Sequence, residues 1–173
     1  MIRLCFHGAE STGKSTLIAR LSGELGLPFV PEYGREWAET RGTDFTPEAL
    51  LAIAAGQDAA MRAAAAGSPP LLLLDTDPLM TAAWYAMLHG QVPPALLAYD
   101  KAEHYLLFDP DVPWVADGTR FFGTAEDRAR FAALAEELLV RSGAPFTRIG
   151  GTWAEREAQV RRVLAEIGYL PIR

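Results

Sequence analysis

Gly8-Ala9-Glu10-Ser11-Thr12-Gly13-Lys14-Ser15 matches G-x-x-x-x-G-K-S in full, directly after the apolar run 2–7 and directly before a helical pattern that starts at Thr16. Chemistry dictates those residue types. Gly8 and Gly13 let the backbone fold into a tight nest with its N–H groups turned inward, where a Cβ would obstruct. Lys14 is expected to reach the β- and γ-phosphates of a nucleotide and Ser15 to offer its hydroxyl to Mg2+, while Glu10, Ser11, Thr12 and Thr16 complete the cradle at a helix N-terminus that favours anions. A chance match at all four fixed positions is on the order of one in a hundred for a chain of this length. The motif predicts nucleotide-phosphate binding and by itself leaves kinase, ATPase and switch open.

Outward from this loop, short apolar runs recur at 2–7, 28–31, 71–74, 105–108 and 146–149, with longer helical patterns between them. That alternation is the mark of βαβ units and a parallel sheet. The runs are nearly continuous in apolar character, as strands covered on both faces require. Thr46-Pro47 reads as N-cap and N1 of a helix that ends near Gly67. Thr124 caps another, with Phe131, Leu134 and Leu138 on one face, and Thr152 with Glu155 forms a capping box ahead of Val160, Val163, Leu164 and Ile167. The predicted fold is a three-layer α/β P-loop kinase fold of the nucleoside/nucleotide type, its five-stranded parallel sheet ordered 2-3-1-4-5, with 1–173 as one domain.

Bulk properties narrow the setting. The chain has 173 residues, half of them hydrophobic, and a net charge of −6, which argues against broad attraction to nucleic acid or an anionic membrane. The single cysteine, Cys5, lies in the first apolar run and reads as a buried strand residue. The longest aliphatic run ends at Asp75, so no membrane span is expected, and the N-terminus leaves no room for a secretory h-region. A cytoplasmic protein is the expectation.

Leu71-Leu72-Leu73-Leu74-Asp75 is a strand ending in a carboxylate, the pattern that sets an acid beside the phosphate loop to hold Mg2+. With it a recognisable set is complete. The loop, Glu32-Tyr33-Gly34-Arg35-Glu36-Trp37, Asp75-Thr76-Asp77 and Asp111-Val112-Pro113-Trp114-Val115-Ala116-Asp117-Gly118-Thr119-Arg120 together resemble, in that order, the ribosylnicotinamide kinase domain of the NadR family. The resemblance implies ATP plus nicotinamide riboside giving ADP plus nicotinamide mononucleotide, a step of NAD biosynthesis, with Mg2+. Larger family members also carry an adenylyltransferase domain and sometimes a helix-turn-helix. This chain has room for neither and is expected to be a stand-alone kinase.

Ligands of doubly wound sheets bind at the carboxyl ends of the strands, where Gly8, Glu32, Asp75 and the segment after Phe108 should converge. Glu32, Tyr33 and Arg35 follow the second strand, where a kinase would hold the attacking hydroxyl and Glu32 would accept its proton; the alternative is a solvated Glu32–Arg35 ion pair at a helix start. Asp77 is the reserve base. Trp84 is a candidate to stack a pyridinium ring, with core packing between helix and sheet as the alternative. Trp37 and Trp114 read as packing residues. Arg120 and Arg128 flank Phe121-Phe122-Gly123-Thr124 and would bring guanidinium groups to the developing charge as a loop closes. Thr152 and Trp153 lie where related folds hold adenine. Two rivals remain at this point: a kinase for another nucleoside, nucleotide or small alcohol, and a regulatory ATP-binding ATPase module.

Overall fold

The apolar runs form β1 (Ile2–Gly8), β2 (Phe29–Val30), β3 (Leu71–Asp75), β4 (His104–Phe108) and β5 (Phe146–Ile149) in a computed structural model that describes residues 1–116, 118 and 121–169. Every pairing is parallel and the order is β2-β3-β1-β4-β5, as the sequence predicts. Between the strands run α1 (Lys14–Leu25), α2 (Tyr33–Arg41), α3 (Pro47–Ala65), α4 (Pro78–His89), α5 (Pro94–Leu97) and α6 (Ala125–Ser142), and α7 (Trp153–Glu166) follows β5.

Continuous apolar runs arise because both faces of the sheet are covered. Leu4, Phe6, Leu71, Leu73 and Leu106 pack with α1 and α7, whereas Cys5, Leu72, Leu74, Tyr105 and Leu107 pack with α3, α4 and α6. Leu71 to Leu74 are almost wholly buried, alternating between those two cores, and each contributes roughly 2 kcal/mol of hydrophobic stabilisation. Buried Cys5 has its thiol pushed up by burial, in keeping with a strand residue.

The helix signals hold up. Thr46, Thr124 and Thr152 each accept a backbone N–H as N-caps, and Thr152 forms the capping box with Glu155. Short α5, opened by Pro93 and Pro94, carries no such signal and was not foreseen. Among the described residues no helix is long and apolar enough to cross a membrane. The register opposes Phe6 to Asp75 and Gly8 to Phe108, so the carboxyl ends of the three central strands β3, β1 and β4 meet at one edge. That edge carries the site.

Candidate functional site

The loop between β1 and α1 has the backbone its glycines promise. Gly8 and Gly13 have φ of +125° and +83°. A Cβ on Gly8 would stand 2.6 Å from the Phe108 carbonyl oxygen, and one on Gly13 only 2.0 Å from the Trp153 ring. Ser11 also takes a left-handed conformation, with φ of 56°, the kind of backbone from which anion-binding nests are built. Lys14 is 8% exposed, and its Nζ donates to Gly8 O at 2.8 Å, Ala9 O at 2.6 Å and Thr12 Oγ1 at 3.3 Å. A cation is thereby held inside the loop. Glu10 Oε2 accepts from the amides of Phe121 and Phe122, and Ser11 Oγ from that of Val115, so the loop is tied to the segment after β4.

Asp75 ends β3 beneath this loop. Burial pushes its carboxyl up, opposed by a hydrogen bond from Ser15 and by the charges of Lys14 and Arg35. Its Oδ1 is buried without a hydrogen-bond partner, a costly arrangement for a carboxylate oxygen in a finished core.

Residues 8 and 10–16 floor a cleft of ≈ 930 Å³, open mouth included. Glu32, Arg35, Phe45, Trp84 and Phe131 line it as well. Glu32 is the N-cap of α2, yet its side chain bonds none of that helix's amides. Its Oε2 lies 4.0 Å from Arg35 Nε. Burial, and then the nearby Asp75 charge, push its pKa up to about 7 against the pull of Lys14 and Arg35, which is the range a general base needs near neutral pH. Trp84 packs on Phe122, Phe45 and Phe131 at ring separations of 4.9, 5.3 and 5.3 Å while also lining the cleft. The packing alternative is thus what these ring contacts show, and the residue also reaches the cleft.

Other expected residues lie elsewhere. Asp77 caps α4 by accepting from Leu79 N at 3.0 Å, and its second oxygen accepts from Tyr105 OH at 2.5 Å, so both are engaged within the fold. The reason is Thr76: its φ of 71° breaks the strand alternation that would aim Asp75 and Asp77 the same way. Tyr33 turns its ring onto Gly56 of α3 and does not line the cleft. Arg128 donates to Val112 O at 2.9 Å, and burial lowers its pKa; it too is outside the lining. Thr152 is occupied as a cap. Trp153, 59% exposed, lies against the back of the loop at Gly13. Arg120 lies outside the described residues.

Two buried polar residues at this edge went unread in the sequence. Gln57 of α3, 2% exposed, lines the cleft. Arg156 of α7 is fully buried: it pairs with Asp111 and donates to Gly151 O at 2.8 Å, Asp109 O at 3.0 Å and Thr12 O at 3.3 Å. It thus joins the phosphate loop to the ends of β4 and β5. Both had a signal in the sequence, a polar residue falling on an apolar helix stripe: Gln57 with Leu50, Ile53 and Met61, and Arg156 with Val160, Val163 and Leu164.

Comparison with known proteins gives a consistent set. A family model described as an AAA domain matches residues 3–156. The chain is 31% identical over 152 residues to the trifunctional NAD biosynthesis/regulator protein NadR of Escherichia coli (strain K12), covering 82% of this chain and 36% of that protein. It is 30% identical over 153 residues to the protein of the same name from Salmonella typhimurium. The chain spans about a third of the length of these curated relatives, 36% in each case. Among solved structures, that of NadR protein in complex with NR superposes with a TM-score of 0.79 at 22% identity, covering 99% of this chain and 53% of the other. A thymidylate kinase from Ehrlichia chaffeensis superposes at 0.68 and 16%, covering 94% of this chain and 98% of the other. At such identities these superpositions establish the P-loop kinase fold.

Proposed function

The chain belongs to the AAA-domain family, whose model spans residues 3–156, and from that premise we propose that it is an ATP-dependent kinase that phosphorylates nicotinamide riboside to nicotinamide mononucleotide. The observation that carries the reading is the cleft: a carboxylate with a pKa of about 7, Glu32, lines it together with a lysine-bearing phosphate loop and the aromatic residues Phe45, Trp84 and Phe131. A phosphate loop alone serves hydrolases and switches equally. A base near neutrality facing apolar aromatic surface suits a planar acceptor whose hydroxyl must lose a proton. The NadR relatives are described as acting in NAD biosynthesis, and a NadR structure holds NR, which supports nicotinamide riboside as that acceptor.

In this reading the loop amides and Lys14 bind the ATP phosphates and draw off charge as the γ-phosphoryl group moves in line to the acceptor 5′-hydroxyl. Glu32 orients that hydroxyl and takes its proton, leaving ADP and the 5′-phosphate. Arg35, 4.0 Å from Glu32, helps keep the carboxylate aimed at the cleft. Trp84 presents its ring to the pyridinium, which gains from an aromatic face. Mg2+ fits the residues present, because Asp75 Oδ1 is buried without a partner and the Ser15 hydroxyl bonds the same side chain. Ser15 and Asp75 would hold the ion, which would supply positive charge to the nucleotide phosphates. Trp153, against the back of Gly13, is the reading for the adenine side. The net charge of −6 supports a reading without a nucleic-acid partner; residues 1–173 as one kinase domain and a cytoplasmic location belong to the same proposal.

The test is an acceptor screen with mass detection. Nicotinamide riboside should stimulate Mg2+-dependent ADP formation and appear as its 5′-phosphate, ahead of common nucleosides and nucleoside monophosphates. Acceptor-independent ATP hydrolysis by folded protein, or faster turnover of another acceptor, would overturn the assignment.

A further inference from the structure

Glu32 sits at a position where a side chain ordinarily folds back to satisfy the first amides of its own helix. It does not do so here. The backbone on either side of it is held instead from a different element. The Tyr33 amide, the first of α2, donates to Gln57 Oε1 at 2.8 Å, and Gln57 Nε2 donates to Pro31 O at 3.4 Å. One buried side-chain amide thus holds the peptide groups on both sides of Glu32. The neighbouring residue reinforces the contact: a Cβ on Gly56 would stand 2.2 Å from the Tyr33 ring, so α3 offers a flat patch on which the turn after β2 is seated. Gln57 itself belongs to a rigid support, flanked on α3 by buried Ile53, Ala54 and Met61.

We propose that Gln57 is a positioning residue for phosphoryl transfer: by bonding Pro31 and Tyr33 it fixes the backbone of Glu32, whose carboxylate makes no cap bond to α2 and lines the cleft. This rests on the reading of Glu32 as the base. The lever is geometric. A base must stay within hydrogen-bond reach of the proton it takes, and an ångström of misplacement costs up to about a hundredfold in rate. Gln57 acts through Glu32, so its loss falls on kcat and leaves acceptor and ATP binding unmoved.

The experiment is a double-mutant cycle on the full chain with ATP, Mg2+ and nicotinamide riboside. Gln57→Leu removes both bonds in a similar volume; Gln57→Asn keeps a polar amide one methylene short of spanning both peptides and serves if the leucine variant fails to fold. The expected result is a fall in kcat of roughly 10- to 100-fold with KM for both substrates within about twofold. Added to Glu32→Gln, either change should lower kcat by less than about twofold further, because the base it positions is already gone. A raised acceptor KM with unchanged kcat would mean that Gln57 touches the acceptor, and would overturn the proposal. So would full additivity in the double variant, or unchanged kcat in a folded Gln57 variant while Glu32→Gln alone is slow. If Glu32→Gln alone keeps full kcat, the base reading fails first, and the positioning role goes with it.

Discussion

Glu32→Gln should make a slower and more stable protein, and the stability gain should depend on pH. The Glu32 pKa rises from an ordinary 4.5 to about 7 in the fold, so the folded state prefers the protonated carboxyl. Its contribution to stability is fully present below the unfolded-state value and is lost as pH rises through about 7. Above that, ionised Glu32 disfavours folding by at most about 3 kcal/mol, the equivalent of that change in pKa. The side chain remains 26% exposed, and solvent screening there reduces the figure to roughly 1–2 kcal/mol. Glutamine keeps the shape and never ionises. Thermal unfolding without nucleotide or Mg2+ should therefore give a variant that matches the parent near pH 4 and exceeds it by roughly 3–6 °C near pH 8. In turnover, the parent's kcat/KM should rise about tenfold between about pH 6 and pH 8, while the variant loses about 10²–10⁴-fold in kcat and shows no such limb. A stability difference that does not change with pH, or a variant less stable at pH 8, would refute the account of Glu32 as a carboxylate strained by burial and by Asp75.

Two other substitutions separate roles within the cleft. Asp75→Asn should raise the Mg2+ concentration needed for half-maximal rate, with KM for the acceptor little changed, as read by Mg2+ titration at saturating substrates; the buried Oδ1 without a partner motivates it. Trp84→Ala should raise the acceptor KM at least about tenfold and, because the ring packs on Phe45, Phe122 and Phe131, also cost roughly 2–3 kcal/mol in thermal or denaturant unfolding; Trp84→Phe should recover much of both.

The sheet was legible because its strands lie in continuous apolar runs covered on both faces, and its order is the one expected of the P-loop kinase fold to which the phosphate loop pointed. Capping threonines at 46, 124 and 152 marked three helix starts by a local mechanism that needs no tertiary contact. The cleft was legible where a motif names its residues, at 8 and 10–16, and where a carboxylate follows a strand, at Glu32; Asp75, ending β3, is buried next to Ser15 and outside the lining. It was misread where direction depends on one dihedral. Thr76, with a positive φ, turns Asp77 into a helix cap bonded to Tyr105, and no side-chain pattern announces that a threonine takes the left-handed region. Tyr33 was misread for a related reason: its ring goes to whatever surface accepts it, and the flat patch at Gly56 lies in a helix more than twenty residues away in sequence.

Gln57 and Arg156 show what pattern reading discards. Each occupies an apolar stripe, where periodicity assigns a hydrophobic residue, and each is buried at a cost that only full hydrogen bonding offsets. A leucine at either place would serve packing between helix and sheet as well or better. Their partners explain the difference: Gln57 bonds Pro31 and Tyr33 beside Glu32, and Arg156 bonds Thr12, Asp109 and Gly151 at the phosphate loop and the ends of β4 and β5. Both therefore fasten irregular backbone at the carboxyl edge of the sheet, the region with the fewest ladder bonds of its own and the one that must hold cleft groups to within a fraction of an ångström. Polar residues on the buried faces of helices α3 and α7 thus extend the site beyond the residues that line its floor, and the direction of each is set by the backbone it restrains.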